Sequence, residues 1–363
     1  MSAVPPPVSI GLPVYNAERY LPGCLDSLLG QTYGDFELFI ADNASDDATE
    51  ELCREAARRD RRVRYERREK NHGAVGNFNY VAEQARGRYF KWAAYDDRCA
   101  PTFLERCVER LEEDPGVAWC HPRTRHIGPE GETIPPEADP ALPPGADSHS
   151  LLNPPGLRYD RTADRAWQRF RAVVLGTTWC SDAYGLFRTD VLRRTRLYLP
   201  CFGAEKLLMA EVALLGRFAE PQEVLFDQRV HPGAASNLGN RSAEAAFALA
   251  GVAGRFSTAR LTLLRGYLSA VRRADLSAAD RVRCLATLAR YVGQVGKWRR
   301  VVSNALSGRG LGDDTYERIA ERLAADEAGA AALRDDAPET VVKSSDDAAR
   351  AEPAATSLKR TAG

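Results

Sequence analysis

Several signatures are missing from this sequence, and each absence removes a class of protein. Its eight cysteines, at 24, 53, 99, 107, 120, 180, 201 and 284, stand singly with no Cys-x-x-Cys pair. Scattered thiols exclude a disulfide framework and fit a reducing, cytoplasmic setting in which most of them are buried. The histidines at 72, 121, 126 and 149 show no zinc spacing. No apolar run approaches the roughly 20 residues that a bilayer-spanning helix needs, and residues 1–7 are too few and too proline-rich to read as a secretory leader. Net charge is absent too. Fifty Lys and Arg balance fifty Asp and Glu, so nothing in the balance draws the chain to nucleic acid. After the first strand-like run there is neither the Gly-x-Gly-x-x-Gly of a dehydrogenase nor the glycine-rich basic loop of a nucleotidyltransferase; Gly11-Leu-Pro-Val-Tyr15 stands there instead.

What is present is an alternation of strands and helices. Val8-Ser-Ile-Gly-Leu-Pro-Val-Tyr15 is a largely apolar run, after which Tyr20, Leu21, Cys24, Leu25, Leu28 and Leu29 recur at helical spacing. Phe36–Ala41 repeats the pattern, stops at Asp42-Asn-Ala-Ser45, and is followed by Asp46 and Asp47, where a helix N-terminus favours acids. Val63–Tyr65 is a weaker strand, and Asn71-His-Gly73 breaks the chain before a helical face of Val75, Phe78, Val81 and Ala82. A fourth strand-like run from Tyr89 ends in the doublet Asp96-Asp97, with a helix opening after Pro101. The pattern predicts an α/β fold with a mostly parallel sheet flanked by helices. Such sheets bind ligands beyond the carboxyl ends of their strands. Asp42, Asn71, Asp96 and Asp97 all fall at those predicted ends, and two adjacent carboxylates there are a place for a hard divalent cation, Mg²⁺ or Mn²⁺, which would relieve their repulsion.

Four stretches in this order and spacing, Val8 to Leu21, Ala41 to Asp47, Asn71 to Asn77, and Asp96-Asp97 with Pro101 four residues on, resemble the family 2 glycosyltransferases of the GT-A fold. A weaker likeness continues to Arg229-Val-His-Pro-Gly-Ala234. The resemblance implies an enzyme that moves a sugar, with inversion, from a nucleotide-diphospho-sugar to a hydroxyl acceptor that is a carbohydrate, a lipid-linked sugar or a small molecule. It implies that the loop carrying Pro13, Tyr15, Asn16 and Glu18 lies against the nucleotide, and that Asp42, beside Asn43, accepts the imide N–H of a uracil or thymine. It places Asn71, Gly73 and Asn77 on the base and ribose, Asp96 and Asp97 at the Mn²⁺ or Mg²⁺ ion, and His231 or Arg229 near the diphosphate. The family often carries a further acid ahead of the doublet, where this chain has Ala94. The general base is expected at Glu205, in Gly203-Ala-Glu-Lys-Leu-Leu208, with Glu211 and Asp182 as alternatives and Trp179 as a stacking surface for the acceptor.

The chain divides by texture into 1–127, the nucleotide-sugar half; 128–240, the acceptor half, with a helix over Arg161–Val174; 241–324, a helical extension with a capping-box start at Ser277; and 325–363, an alanine-rich charged tail that reads as disordered. In the extension Arg283, Arg290 and Lys297 recur every seven residues beside an apolar stripe of Leu285, Leu288, Val292 and Val295. That stripe suits packing on the catalytic part, and it also permits peripheral contact with a membrane. A homo-oligomer and a catalytically degenerate donor-binding module are both left open.

Overall fold

The computed structural model describes residues 6–139, 160–177, 180–201, 203–231, 233, 259–296 and 298–299. All lie in the first of the chain's two units, Met1–Ala320. The expected disordered tail, Trp179 and most of the proline- and glycine-rich stretch that runs to Gly156 lie outside them.

β1 (Val8–Val14) and β2 (Phe36–Asp42) are buried at every residue. They are parallel strands covered on both faces, which is why each reads as an almost unbroken apolar run. With β3 (Val63–Arg67) and β4 (Tyr89–Trp92) they stand in the order β3-β2-β1-β4, joined through α1 (Leu21–Leu29), α2 (Thr49–Arg59) and α3 (Gly73–Glu83). The chain steps outward from β1 on one side and then crosses to the other, so the loops beyond β1 and β4 part and leave a crevice. The sheet continues through β8 (Leu186–Arg188), antiparallel to both β4 and β6 (Val117–Cys120), to β9 (Arg217–Ala219).

A second sheet was not expected. β5 (Arg98–Cys99), β10 (Val224–Arg229) and β7 (Arg123–Ile127) form it, with Asp227 opposite Arg98 and Phe226 opposite Cys99. β4 also ends earlier than its sequence suggests. Ala93 still donates its N–H to Gly11 O, but the pairing with β1 ends there, and the acidic doublet sits in a turn that leads directly into β5 rather than on the strand end.

Helices cover both faces. α4 (Phe103–Glu113) buries Phe103, Leu104, Cys107, Val108 and Leu111 on one stripe. On the opposite face α5 (Ala166–Gly176) and, after the one-turn α6 (Thr189–Leu192), α7 (Ala204–Leu215) pack together, backed by α8 (Ala259–Arg273) and α9 (Ala278–Val292). α5 begins five residues later than its apolar spacing suggests. Arg161 is held in a bend ahead of the helix, its carbonyl accepting from Phe218 N and its guanidinium turned inward to Asp182. α9 starts as expected, with Ser277 Oγ accepting from Asp280 N at 3.1 Å. All eight cysteines are free, and six are buried.

Candidate active site

The loops leaving β1 and β2 and the link into α3 are laced into one shelf. After β1 the chain turns through Asn16 at φ +49°. Asn16 N donates to Ser45 Oγ at 3.0 Å, and Asn16 Oδ1 accepts from Asp46 N at 3.1 Å. The Glu18 carboxylate accepts from Ala48 N. Pro13 is buried in register with Ala41, whereas Tyr15 is exposed. Asn43 Oδ1 accepts from His72 N, and its amide donates to Asn71 Oδ1 at 2.8 Å and Gly73 O at 3.2 Å. Gly73 has φ +74°, a left-handed conformation that glycine adopts without a side-chain penalty. Asn77 Nδ2 donates to Ala41 O at 2.8 Å. Asn43, Asn71, Gly73 and Asn77 thus meet above the ends of β1 and β2.

Asp42 ends β2 and is fully buried. Its Oδ1 accepts from Ser45 N and Ser45 Oγ, its Oδ2 accepts from Tyr65 OH at 2.9 Å, and Arg67 Nε lies 3.8 Å away. Its side chain has no exposed surface, closed over by Ser45, Tyr65 and Arg67, so a further donor reaches Oδ2 only where Tyr65 or Arg67 gives way.

The doublet splits by role. Asp96 is partly exposed, and its Oδ2 lies 3.0 Å from His231 Nε2. Asp97 is turned inward and accepts from Arg229 N at 2.8 Å. Burial pushes the Asp97 carboxyl well above the usual carboxylate range and the charge of Asp96 adds to that, while the Arg229 amide and Lys91 oppose it. Lys91 is itself buried in β4, with Nζ donating to the carbonyls of Trp92 and Tyr184 and lying 4.3 Å from the Phe103 ring centroid. The β5–β10 register brings His231 to Asp96 from 135 residues away. Arg229 fastens the turn. Its Nε donates to Asp96 O, its Nη1 donates to Gly128 O and Pro129 O, and its guanidinium stacks 4.7 Å from the Tyr20 ring, which also packs on His231. With those donors committed to backbone carbonyls, Arg229 positions the doublet instead of reaching outward.

No cluster of three or more His, Cys, Asp or Glu in metal-ligating geometry occurs among the described residues. The Asp96–His231 pair does fit a hard cation. Asp96 Oδ2 and His231 Nε2 are hydrogen-bonded in this structure; with a cation in place of that proton, the carboxylate oxygen would be a ligand of the kind Mg²⁺ and Mn²⁺ take, and the imidazole nitrogen would add a second. The remaining positions would be left to ligand and water.

Three carboxylates were candidates for a general base. Asp182 is fully buried and paired with Arg161. Glu211 is buried, its Oε2 accepting from Arg196 N at 2.8 Å and its Oε1 paired with Arg196 Nε. Glu205, in the first turn of α7 behind Gly203 at φ +75°, is half-buried, and no hydrogen bond or ion pair holds its carboxylate among the described residues. It lies close enough to Cys180, Tyr184, Tyr198, Cys201 and Tyr267 to act on their ionisation. Tyr184 links the two parts of the site. Burial holds its phenol well above the ordinary value, and the charges of Asp97, Tyr198, Asp96 and Glu205 add to that. Sequence reasoning missed Tyr184, Tyr20 and Lys91 as parts of the site. Tyr20 had been counted only as part of the α1 apolar face, and nothing in the pattern around Tyr184 marks it.

Residues 9–174 match the family described as Glycosyl transferase family 2. Over 129 residues, 36% of the chain, the sequence is 33% identical to the chondroitin synthase of Escherichia coli and 32% identical to a hyaluronan synthase of Pasteurella multocida. The matched part spans only 19% and 13% of those relatives' length. Among solved structures, S. aureus TarS 1-349 in complex with UDP superposes with a TM-score of 0.54 at 18% identity, covering 82% of this chain and 74% of that one. The mannosyltransferase PcManGT from Pyrobaculum calidifontis, in complex with GDP-Man and Mn²⁺, superposes at 0.51 and 16% identity, covering 90% and 81%.

Proposed function

Residues 9–174 belong to glycosyl transferase family 2 and the fold is that of the GT-A glycosyltransferases, and from that premise we propose that the chain is an inverting glycosyltransferase. It takes the sugar of a UDP- or dTDP-sugar and passes it to a hydroxyl acceptor. The observation that carries the reading is the Asp96–His231 pair, 3.0 Å apart beside the shelf that Asn43, Asn71 and Gly73 build.

In this reading the nucleoside lies on the shelf, with Asn71, Gly73 and the backbone after Pro13 beneath it and Tyr15, Asn16 and Glu18 at its edge. Asp42 accepts the imide N–H of the pyrimidine on Oδ2 once the Tyr65 and Arg67 side chains that cover it draw back. The neighbours in complex with UDP and with GDP-Man share one fold, so base choice falls to side chains such as Asp42. Asp96 and His231 would hold Mn²⁺ or Mg²⁺, and the ion would supply charge stabilisation for the departing diphosphate. Asp97 and Arg229 keep Asp96 in place from beneath. Glu205 takes the proton from the acceptor hydroxyl as its oxygen attacks the anomeric carbon from the face opposite the leaving group, so configuration inverts. Asp182 and Glu211 are committed to arginines, which supports Glu205 for this role. Trp179 is proposed to face the acceptor.

Calorimetry of UDP with Mn²⁺ and with EDTA, on the parent, Asp96→Ala and His231→Ala, tests the assignment. Affinity should fall at least about tenfold on chelation and in each variant, as loss of a cation bridging protein and diphosphate implies. Equal affinities in all arms would remove the ion from these residues. Mn²⁺-dependent donor hydrolysis separates a transferase from a module that only binds donor.

A further inference from the structure

Six large hydrophobic side chains are exposed among the described residues, and four of them, Val282 (65%), Leu285 (44%), Val292 (47%) and Val295 (64%), fall on α9 and the turn just after it. At about 100° per residue, Val282, Ala286 and Ala289 run along the middle of the outer face, with Leu285 and Val292 beside them. The opposite side, Cys284, Thr287, Leu288 and Tyr291, is buried on α5 and α8. The stripe expected to pack on the catalytic part therefore divides: Leu288 is buried, whereas Leu285, Val292 and Val295 are exposed and Val282 joins them outside. The helix is anchored on one face and bare on the other.

Charge is segregated here as nowhere in the totals. Residues 259–300 hold ten Lys and Arg against two Asp, a net +8, while the whole chain holds fifty of each sign, so the remainder carries −8. The stretch 281–300 has six basic residues and no acid. Arg283 and Arg290 are exposed along one edge of the apolar face, Arg283 lying 3.7 Å from Asp280 Oδ1 and 5.2 Å from the Trp167 ring centroid. Pairing this face with a second copy of itself would set like-charged rims together, and the carboxylate beside that rim, Asp280, is only 13% exposed and already paired with Arg283. A flat, helix-long stripe of valine, leucine and alanine edged with arginine instead complements a surface that is apolar within and negative at its boundary.

We propose that α9 is a membrane-surface helix that binds anionic lipid. Its Val282-Leu285-Val292 face enters the acyl boundary, and Arg283 and Arg290 meet the phosphate headgroups. The proposal stands apart from the donor site and is independent of its assignment.

Co-flotation of the full chain with vesicles of phosphatidylcholine alone, and with about one third phosphatidylglycerol, reads it directly. Partitioning onto the anionic vesicles should be at least about tenfold stronger and should fall at high salt. Arg290→Glu should weaken it at least about fivefold, since one basic residue near such a surface is worth about that factor. The double variant Val282→Ser/Leu285→Ser should weaken it about tenfold or more with an unchanged melting midpoint. Equal partitioning onto both vesicle types, or variants that bind like the parent, would overturn the proposal. So would a dimer in light scattering that the double variant dissolves, or a lowered midpoint in that variant, because either result means protein covers the face.

Discussion

Replacing Glu205, Glu211 and Asp182 one at a time by their amides separates catalysis from structure. Asp182 is buried against Arg161, which is nearly inaccessible itself and, among the described residues, otherwise donates only to Thr177 Oγ1. Removing one partner of such a pair strands the other charge and costs about 3–5 kcal/mol, so Asp182→Asn should lose about that much in urea unfolding. Arg196, the partner of Glu211, is about a quarter exposed at 23% and also donates to Gly266 O, which places Glu211→Gln at the lower end of that range. Among the described residues Glu205 has no such partner, so Glu205→Gln should change stability by no more than about 0.5 kcal/mol and leave donor affinity intact. Its turnover should fall by about 10²–10⁴, the usual worth of a positioned base. The measurements are urea unfolding, calorimetric donor affinity and turnover with a hydroxyl acceptor on all three proteins. Turnover of Glu205→Gln within a few-fold of the parent would refute the reasoning, as would a stability loss matching that of Asp182→Asn.

Asp42→Ala should reduce the preference for UDP over GDP by about 1–3 kcal/mol, because it removes the acceptor beneath the base; equal loss for both nucleotides in calorimetry would make Asp42 a turn residue that serves only Ser45 and Tyr65. Arg229→Lys should cost about 2–4 kcal/mol in urea unfolding, since lysine cannot reach the carbonyls of Asp96, Gly128 and Pro129 together, and Mn²⁺-dependent UDP affinity should fall with it; stability and affinity both at parental values would show that the fork is idle. For Glu37, burial opposes ionisation, yet hydrogen bonds from Arg86, Ser9 and Arg64 overcome it and hold the carboxyl below its ordinary 4.5. A depressed folded value gives stability that is present above 4.5 and lost as the pH falls through the folded value, so the melting deficit of Glu37→Gln should be full at pH 7 and shrink below pH 4.5; a deficit that does not change with pH would exclude the ionised pair as its cause.

The sequence by itself determined the strand–helix units of the first 120 residues. Parallel strands buried on both faces must be apolar along their whole length, as Val8–Val14 and Phe36–Asp42 are, and the helices between them must repeat their apolar residues with the helical period. It also determined the family resemblance, because four motifs recur in fixed order. Strand order, the second sheet and the phase of the last helix were settled only by tertiary structure. Arg98–Cys99 is two residues long and Arg123–Ile127 is rich in arginine and histidine, so neither carries a strand pattern; both are strands because β10 pairs with them. That pairing sets His231 against Asp96, a contact that no local spacing encodes. The closing of Asp182 and Glu211 by Arg161 and Arg196 is likewise a matter of which side chains share a low-dielectric interior. In α9 the repeat gave the period of the apolar stripe, but only packing on α5 and α8 could fix which side faced inward, since an amphipathic pattern carries no information about where its neighbours stand.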